Sequence, residues 1–468
     1  MTGQGASLER AHLVGVGGAG MSGIARILAD RGFAVSGSDA RDSPVLAGLA
    51  ERGVRTAVGH TADNLTRLDG GPTAVVVSTA VRPDNPEVVA ARAAGIPVVR
   101  RADALAALMT GRRAVCVAGT HGKTSTTSML TVALQHAGLD PSFAIGGELT
   151  GSGLGAHHGE GDVFVAEADE SDGSFLSFTP HGAIITNIEP DHLDHHGTPE
   201  AYTAVFDQFI DRIEPGGFLV LCTDDPGAAA LAGRSRLRRL IGYGRSDAAT
   251  VRLVAEPAGD VVVLADGIEV PLRLMVPGDH MLLNAVAALA AGVELGVDPE
   301  LLATGLASYE GVRRRFELKG VAGGVTVYDD YAHHPTEVAA QLAAARGVVP
   351  AGGRLVVVFQ PHMYSRTQTF AAEFGTALAA ADLVVVLDVY GAREDPRPGV
   401  TGEIVASAVP AGPAVRYHPD RPSAARFVAD TVQSRDLVIT MGAGDVTAIG
   451  PELLALLADA GAHGTEGG

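Results

Sequence analysis

The residues best suited to chemistry lie in Gly119-Thr120-His121-Gly122-Lys123-Thr124. A glycine-rich turn between strand and helix points backbone N–H groups and the positive end of a helix dipole at one spot, which suits a phosphate chain. Lys123 would reach the terminal phosphates, and the Thr124 hydroxyl would face Mg²⁺. The turn is two residues shorter than the usual G-x-x-x-x-G-K-[ST], because position 117 is Val. The chain holds two lysines, Lys123 and Lys319, among thirty-three arginines. Keeping Lys at this point argues that a compact ammonium is needed there.

Acidic and imidazole groups cluster downstream. Glu167, Asp169, Glu170 and Asp172 sit at and beyond the end of an apolar run at 163–166, and open parallel sheets bind ligands at such strand ends. A carboxylate here beside Thr124 would complete a Mg²⁺ site, with Mn²⁺ as the alternative ion. A second run, 183–188, leads into Glu189-Pro190-Asp191-His192-Leu193-Asp194-His195-His196, a density of imidazole and carboxylate that suits a second metal or a phosphate contact. Of these, His192 lies nearest the strand end. Gly15-Val16-Gly17-Gly18-Ala19-Gly20 is a G-x-G-x-x-G, and Asp39 follows it. That pattern calls for a diphosphate over a helix N-terminus and a carboxylate near a ribose, which a nicotinamide dinucleotide and a UDP-linked substrate both satisfy. His280 and Asn284 stand one turn apart at the start of a helical run, 280–295. Arg313, Arg314 and Arg315 fall in an expected hinge, 309–317, and Arg suits the charge on a transferring phosphoryl group.

The elements that must hold these groups alternate between strand and helix. Strands are expected at 12–16, 33–36, 74–78 and 96–99, with helices at 21–30, 43–52 and 86–94, which describes a parallel, Rossmann-like unit. A second α/β unit starts near residue 111, with a strand at 114–118 and a helix from Ser125; residues 251–264 and 269–275 read as an antiparallel excursion. A third has strands at 325–328, 354–360, 383–387 and 437–441, each ending in polar groups, as along one rim of a sheet facing a site. The fold class is α/β in three domains: a Rossmann-like domain at 1–108, a central P-loop-type ATPase domain at 109–312 and a Rossmann-like C-terminal domain at 313–468.

The 468 residues are 46% hydrophobic and carry a net charge of −19, which argues against binding nucleic-acid backbone or an anionic membrane. No run of about 18 apolar residues offers a membrane span. Cys116 and Cys222 fall in or beside expected buried strands, as reduced cysteines of a cytoplasmic protein do.

Taken together, GVGGAGMSGIA, GTHGKT, ADESDGSFL, TNIEPDHLDHH, the His280–Asn284 pair, GVRRRFE, DDYAHHPTE, FQPH and MGAGD resemble the Mur ligases of peptidoglycan synthesis over nearly the whole chain. The resemblance implies one domain each for UDP-sugar, ATP and amino acid, so the first glycine loop holds UDP and not NAD. It implies ligation of L-alanine to the lactyl carboxylate of UDP-N-acetylmuramate through an acyl phosphate, by a monomer or homodimer; attachment of a recycled murein peptide to the same UDP-sugar is the alternative. ATP contacts are implied for Gly119, Thr120, His121, Gly122, Lys123, Thr124, Ser125, Asn187, His280, Asn284, Arg314 and Asp330. Sugar-nucleotide contacts are implied for Gly15, Gly17, Gly18, Ala19, Gly20, Met21, Asp39, Ser78, Thr79 and Ala80. Thr124, Glu167 and His192 resemble metal ligands, and His333 and Arg366 resemble residues near the incoming amino acid. Lys123, Glu167, His192, Arg314, Asp330 and His333 form the implied catalytic set. Two departures stand out: no lysine near Phe206 matches the carbamylated lysine of several relatives, and Met363 replaces the Arg of the usual F-Q-P-H-R-Y.

Overall fold

Short apolar strands, each followed by a polar turn and a helix, build three sheets in this computed structural model, which describes residues 6–255, 261–265, 267–392 and 394–464. The chain divides into two compact units, Met1–Leu274 with Leu283–Tyr309, and Met275–Leu282 with Glu310–Gly468. The division at Tyr309 falls inside the stretch expected to join domains.

The first unit holds two sheets. One is a five-stranded parallel sheet in the order Arg55–Val58, Ala34–Asp39, Arg10–Val14, Ala74–Val77, Val98–Arg100. Chain order reverses between Arg10–Val14 and Ala74–Val77, and such a switch point opens a crevice at the carboxyl ends of the two strands. Gly15–Gly20 leaves one of these ends and Ser78-Thr79-Ala80 the other. The expected helices appear as Ala19–Asp30, Pro44–Glu51 and Pro86–Ala93, the last capped by Asn85 Oδ1 accepting from Glu87 N at 2.9 Å. The edge strand Arg55–Val58 and the helix Arg101–Met109 were not legible, being short or without clear periodicity.

The second sheet has ten strands, with Arg113–Ala118 between Gly182–Ile185 and Val163–Glu167 in its parallel centre. Val115, Cys116, Val117 and Ala118 are fully buried, and each such Val contributes about 1.5–3 kcal/mol. Phe175 stacks on Phe209 at 4.5 Å and meets Phe206 edge-on at 5.7 Å, closing the core beneath the acidic segment. Val251–Ala255, Val261–Ala265 and Ile268–Leu272 form the expected antiparallel excursion. The strand expected at 183–188 stops at Ile185, because Thr186 and Asn187 turn their side chains onto His121. Helix Ala19–Asp30 packs on strand Ala156–His157; a Cβ at Gly23 would stand 3.0 Å from that of Ala156, so only a very small residue fits.

The second unit holds one six-stranded sheet, in the order Glu317–Ala322, Val325–Asp330, Leu437–Met441, Leu355–Phe359, Leu383–Val386, Ala414–Tyr417. The last five are mutually parallel, so the four polar strand ends read from the sequence do share one rim. Glu317–Ala322 pairs antiparallel with Val325–Asp330, which turns the end of the expected hinge into an edge strand. Among the described residues, no helix is long and apolar enough to cross a membrane.

Candidate active site

The turn after Arg113–Ala118 takes its shape from its glycines. Gly119 and Gly122 have φ of 131° and 82°, where side chains other than glycine are strained. A Cβ at Gly119 would collide with Thr186 Oγ1, and one at Gly122 would lie 2.8 Å from Asn284 Oδ1. Side chains beyond the neighbouring strand fix the turn. His121 N donates to Asn187 Oδ1 (2.9 Å), while Asn187 Nδ2 (3.0 Å) and Thr186 Oγ1 (2.6 Å) donate to His121 O. His121 Nε2 lies 2.9 Å from Glu189 Oε2, and Thr120 Oγ1 donates to Glu189 O at 2.9 Å. Gly122 opens helix Lys123–His136, on whose first turn Thr124 and Ser125 are buried.

Lys123 Nζ donates to Gly119 O (2.7 Å) and Thr120 O (3.0 Å) and pairs with Glu170 at 2.9 Å. Burial disfavours the Lys123 charge, but Glu170, Asp169 and Glu167 outweigh it and raise the ammonium's pKa. Burial pushes the Glu170 carboxyl up to about 7, against the pull of Lys123 and with the help of Asp169. Tyr202 OH, buried, lies 2.8 Å from Thr120 Oγ1 and 3.3 Å from Glu170 Oε1, tying turn and acid together. Glu167 accepts from Gly146 N at 2.8 Å, and a Cβ at Gly146 would come 2.6 Å from both Glu167 oxygens. A helix N-terminus with a lysine beside it is the kind of donor set that receives phosphate, and carboxylate and hydroxyl oxygens are the hard donors that Mg²⁺ takes. His192 has φ of 53° and its Nε2 is 3.6 Å from Asp191, whereas His196 Nε2 donates to Glu170 O at 2.9 Å. Sequence reasoning passed over Glu170, Thr186, Glu189, Tyr202 and His196 as individuals. For Glu170, the signal was its place in the acidic run three residues beyond Glu167.

At the switch point, Gly15 N and Val16 N donate to Ser38 O (2.8 and 2.9 Å), and Gly17 N donates to Asp39 Oδ2 (2.9 Å). Asp39 therefore braces the glycine turn itself. Ser78, Thr79 and Ala80 form the turn after Ala74–Val77, where Val81 N donates to Ser78 O at 3.1 Å. Gly18 caps the helix in which Ala19, Gly20 and the buried Met21 lie. Arg101 Nη1 would be 2.7 Å from a Gly20 Cβ, and its Nη2 is 3.6 Å from Asp169, so one guanidinium stands between the glycine turn and the acidic segment.

On the rim of the second unit, Arg314 Nη2 donates to Gly442 O (2.7 Å) and Gly444 O (3.2 Å), Nε lies 3.4 Å from the buried Asp329, and the guanidinium covers the Tyr331 ring at 4.8 Å. Asp330 accepts from Phe316 N and Ala332 N, both at 2.7 Å, and burial pushes it up to about 6 against Arg315. Its two oxygens thus anchor a turn in which Arg314 and Phe316 hold positive φ. His333 Nδ1 is 3.1 Å from Tyr331 O, and its ring meets that of His362 at 5.7 Å. Burial, aided by Arg366, His362 and Arg315 against Glu337, pushes His333 down to about 3. Arg366 is itself buried. His362 in turn stacks on Tyr390 at 5.9 Å, and Gln360 Nε2 donates to Asp445 Oδ1 at 2.8 Å, so the polar strand ends meet. Met363 opens helix Tyr364–Leu378 with φ of 68° and its N–H on Tyr390 O at 2.9 Å. His280, near Glu337 and Arg315, has its pKa lowered by burial.

Sequence models of the Mur ligase family match three consecutive stretches: its catalytic domain at residues 10–113, its middle domain at 117–292 and its glutamate ligase domain at 314–444. The chain belongs to the Mur ligase family. Among Mur ligases it is 64% identical over 463 residues to a UDP-N-acetylmuramate–L-alanine ligase of Saccharopolyspora erythraea, covering 96% of this chain and 94% of the relative. A ligase of the same name from Kineococcus radiotolerans is 60% identical, with 97% of each chain covered. The crystal structure of the UDP-N-acetylmuramate–alanine ligase of Thermotoga maritima superposes with a TM-score of 0.78 at 29% identity, covering 96% of this chain and 99% of that one. Membership in this family makes the chain an ATP-dependent ligase that forms an amide bond.

Proposed function

We propose that this chain joins L-alanine to the lactyl carboxylate of UDP-N-acetylmuramate, driven by ATP, in cytoplasmic peptidoglycan precursor synthesis. The observation that carries this reading is the Gly119–Thr124 turn, whose two glycines leave no room for a Cβ and whose lysine stands against a buried acid at the carboxyl rim of a parallel sheet. The names and identities of the relatives support L-alanine as acceptor. The reading keeps residues 1–108, 109–312 and 313–468 as sugar-nucleotide, ATP and amino-acid domains, in a monomer or homodimer.

The chemistry answers an energetic problem. A carboxylate does not react with an amine at neutral pH, so the γ-phosphoryl group of ATP first passes to a lactyl oxygen, releasing ADP. The alanine amine then attacks the acyl carbon, the tetrahedral adduct expels inorganic phosphate, and the amine gives up a proton. In this reading Lys123 stabilises charge on the phosphoryl group in flight. Arg314 is the arginine assigned to the same charge. His280 and Asn284 take the adenosine side, with Asn187 and Ser125 shaping the phosphate turn. Thr124 and Glu167 would hold Mg²⁺ (or Mn²⁺), and His192 a second ion; the metal, when bound, neutralises phosphate charge. Gly15–Gly20, Asp39 and Ser78–Ala80 border the UDP.

Burial lowers the His333 pKa and disfavours the imidazolium, so the ring is a poor acceptor for a full proton. His333 instead orients the amine through the ring nitrogen that faces away from Tyr331 O, and Arg366 takes the amino acid's carboxylate. Asp330, with both oxygens committed to backbone N–H groups, holds the Arg314 turn. Phosphate release should be measured with ATP, UDP-N-acetylmuramate and, in turn, alanine, glycine, serine or a murein peptide. Fastest turnover with alanine is expected. Turnover with the peptide alone would replace the reading by its alternative, and none with any acceptor would overturn it.

A further inference from the structure

The first sheet buries a polar cluster that these steps do not use. Glu87, on helix Pro86–Ala93, is wholly shielded from solvent. Its Oε2 accepts from the Ser38 hydroxyl at 2.7 Å and its Oε1 from Asn64 Nδ2 at 2.5 Å. His60 Nδ1 lies 2.9 Å from Ser38 Oγ and 3.3 Å from Glu87 Oε2. A hydroxyl has one proton, and Ser38 gives it to Glu87, so His60 Nδ1 is the donor to Ser38 Oγ. His12, also fully buried, reaches Ser36 Oγ through Nδ1 at 2.8 Å and brings Nε2 to 3.7 Å from Glu87 Oε1.

Burial alone would keep Glu87 neutral, yet the nearby His12 imidazole and the hydrogen bonds from Ser38 and Asn64 hold it down at about 2, so an anion sits inside the domain. An apolar residue there would leave the buried Ser38 hydroxyl and the Asn64 amide without their acceptor. What the charge holds is Ser38. The Ser38 carbonyl receives Gly15 N and Val16 N, and the adjacent Asp39 receives Gly17 N. Three successive N–H groups at the head of the glycine turn are therefore aimed by residues 38 and 39, and the side chain of the first is pinned by Glu87.

We infer that Glu87 is a positioning residue for the sugar nucleotide: through the Ser38 hydroxyl it fixes the strand end that sets the Gly15–Gly20 turn under the diphosphate. The inference rests on the reading above, that this turn receives UDP. The test is calorimetric titration of the full chain with UDP, for the unsubstituted protein, Glu87→Gln, Ser38→Ala and the double variant, with melting curves for each. A Gln amide turns an acceptor into a donor facing the other donors, and Ala removes the link while keeping the carbonyl. Each single change should weaken UDP binding about tenfold, the order of one lost hydrogen bond. The double variant should be no worse than either, because both break one connection. KM for ATP should stay unchanged, a split that general destabilisation would not give. Unchanged UDP affinity in folded Glu87→Gln, or additive losses in the double variant, overturns the inference. Should Glu87→Gln not fold, unchanged affinity in Ser38→Ala alone overturns it. Absence of UDP binding by the unsubstituted chain sinks the functional reading, and this inference with it; binding that is equal in all variants sinks the inference alone.

Discussion

The Lys123 ammonium lies 2.9 Å from the Glu170 carboxylate, and that acid is wholly buried. Removing one partner of a buried pair normally strands a charge, at about 3–5 kcal/mol. Here the acid has a way out. With Lys123 in place burial already raises Glu170 to about 7, so without it the carboxyl takes up a proton and stays neutral at pH 7. Lys123→Ala should therefore fold with a melting temperature near that of the unsubstituted chain, while kcat for phosphate release falls about 100-fold or more. Lys123→Arg should not restore it, because a planar guanidinium cannot take the place of a compact ammonium bonded to Gly119 O and Thr120 O. Near-normal turnover in Lys123→Ala would remove the lysine from the chemistry.

Gly146 offers a way to disturb Glu167 without touching it. A Cβ there comes 2.6 Å from both carboxylate oxygens, so Gly146→Ala must push the acid aside or break its 2.8 Å bond from Gly146 N. If Glu167 holds the metal, the Mg²⁺ concentration for half-maximal rate should rise about tenfold, the order of one lost hydrogen bond to a charged group. KM for the UDP-sugar should not move. A Mg²⁺ titration in which the two proteins coincide would separate Glu167 from the metal.

Much of this arrangement was legible because the apolar runs are short, β-branched and followed by glycine turns. All of the strands read in the third unit occur, and they share a rim because their crossovers make them parallel. What escaped the sequence depends on partners far along the chain. Glu317–Ala322 alternates weakly and becomes a strand only through pairing with Val325–Asp330. Asp39, expected near a ribose, also accepts the Gly17 N–H through Oδ2, a bond that spacing alone does not announce. The turn after His192 carries His196 to the Glu170 carbonyl, a bond its sequence position does not announce. No local pattern announces that Tyr202 will join Thr120 to Glu170, since the contact spans 82 residues.

Glu87 also makes a prediction about acid stability. Its folded pKa, about 2, lies below the ordinary 4.5, so its contribution is present above the ordinary value and is lost as pH falls through 4.5 toward 2. A shift of that size corresponds to about 3 kcal/mol. Urea unfolding followed from pH 6 down to pH 3 should show a steeper loss in the unsubstituted chain than in Glu87→Gln, which has no proton to take up. Parallel curves would mean that Glu87 is not ionised in the fold.

His333 is held as a neutral imidazole, with burial driving its pKa to about 3 and Arg366, His362 and Arg315 facing it. Across pH 6–9 it does not titrate, so the acid limb of the kcat profile should survive in His333→Ala. The defect should fall on the second half of the reaction. Positional-isotope exchange within ATP, which needs only acyl phosphate formation, should persist, while amide formation slows about 100-fold, the lower range for a group acting on the reacting atoms. His333→Gln keeps an acceptor and should recover part of the loss; Phe at the same place should recover none. Equal turnover in His333→Ala and the unsubstituted chain would deny the imidazole any part in receiving the amine.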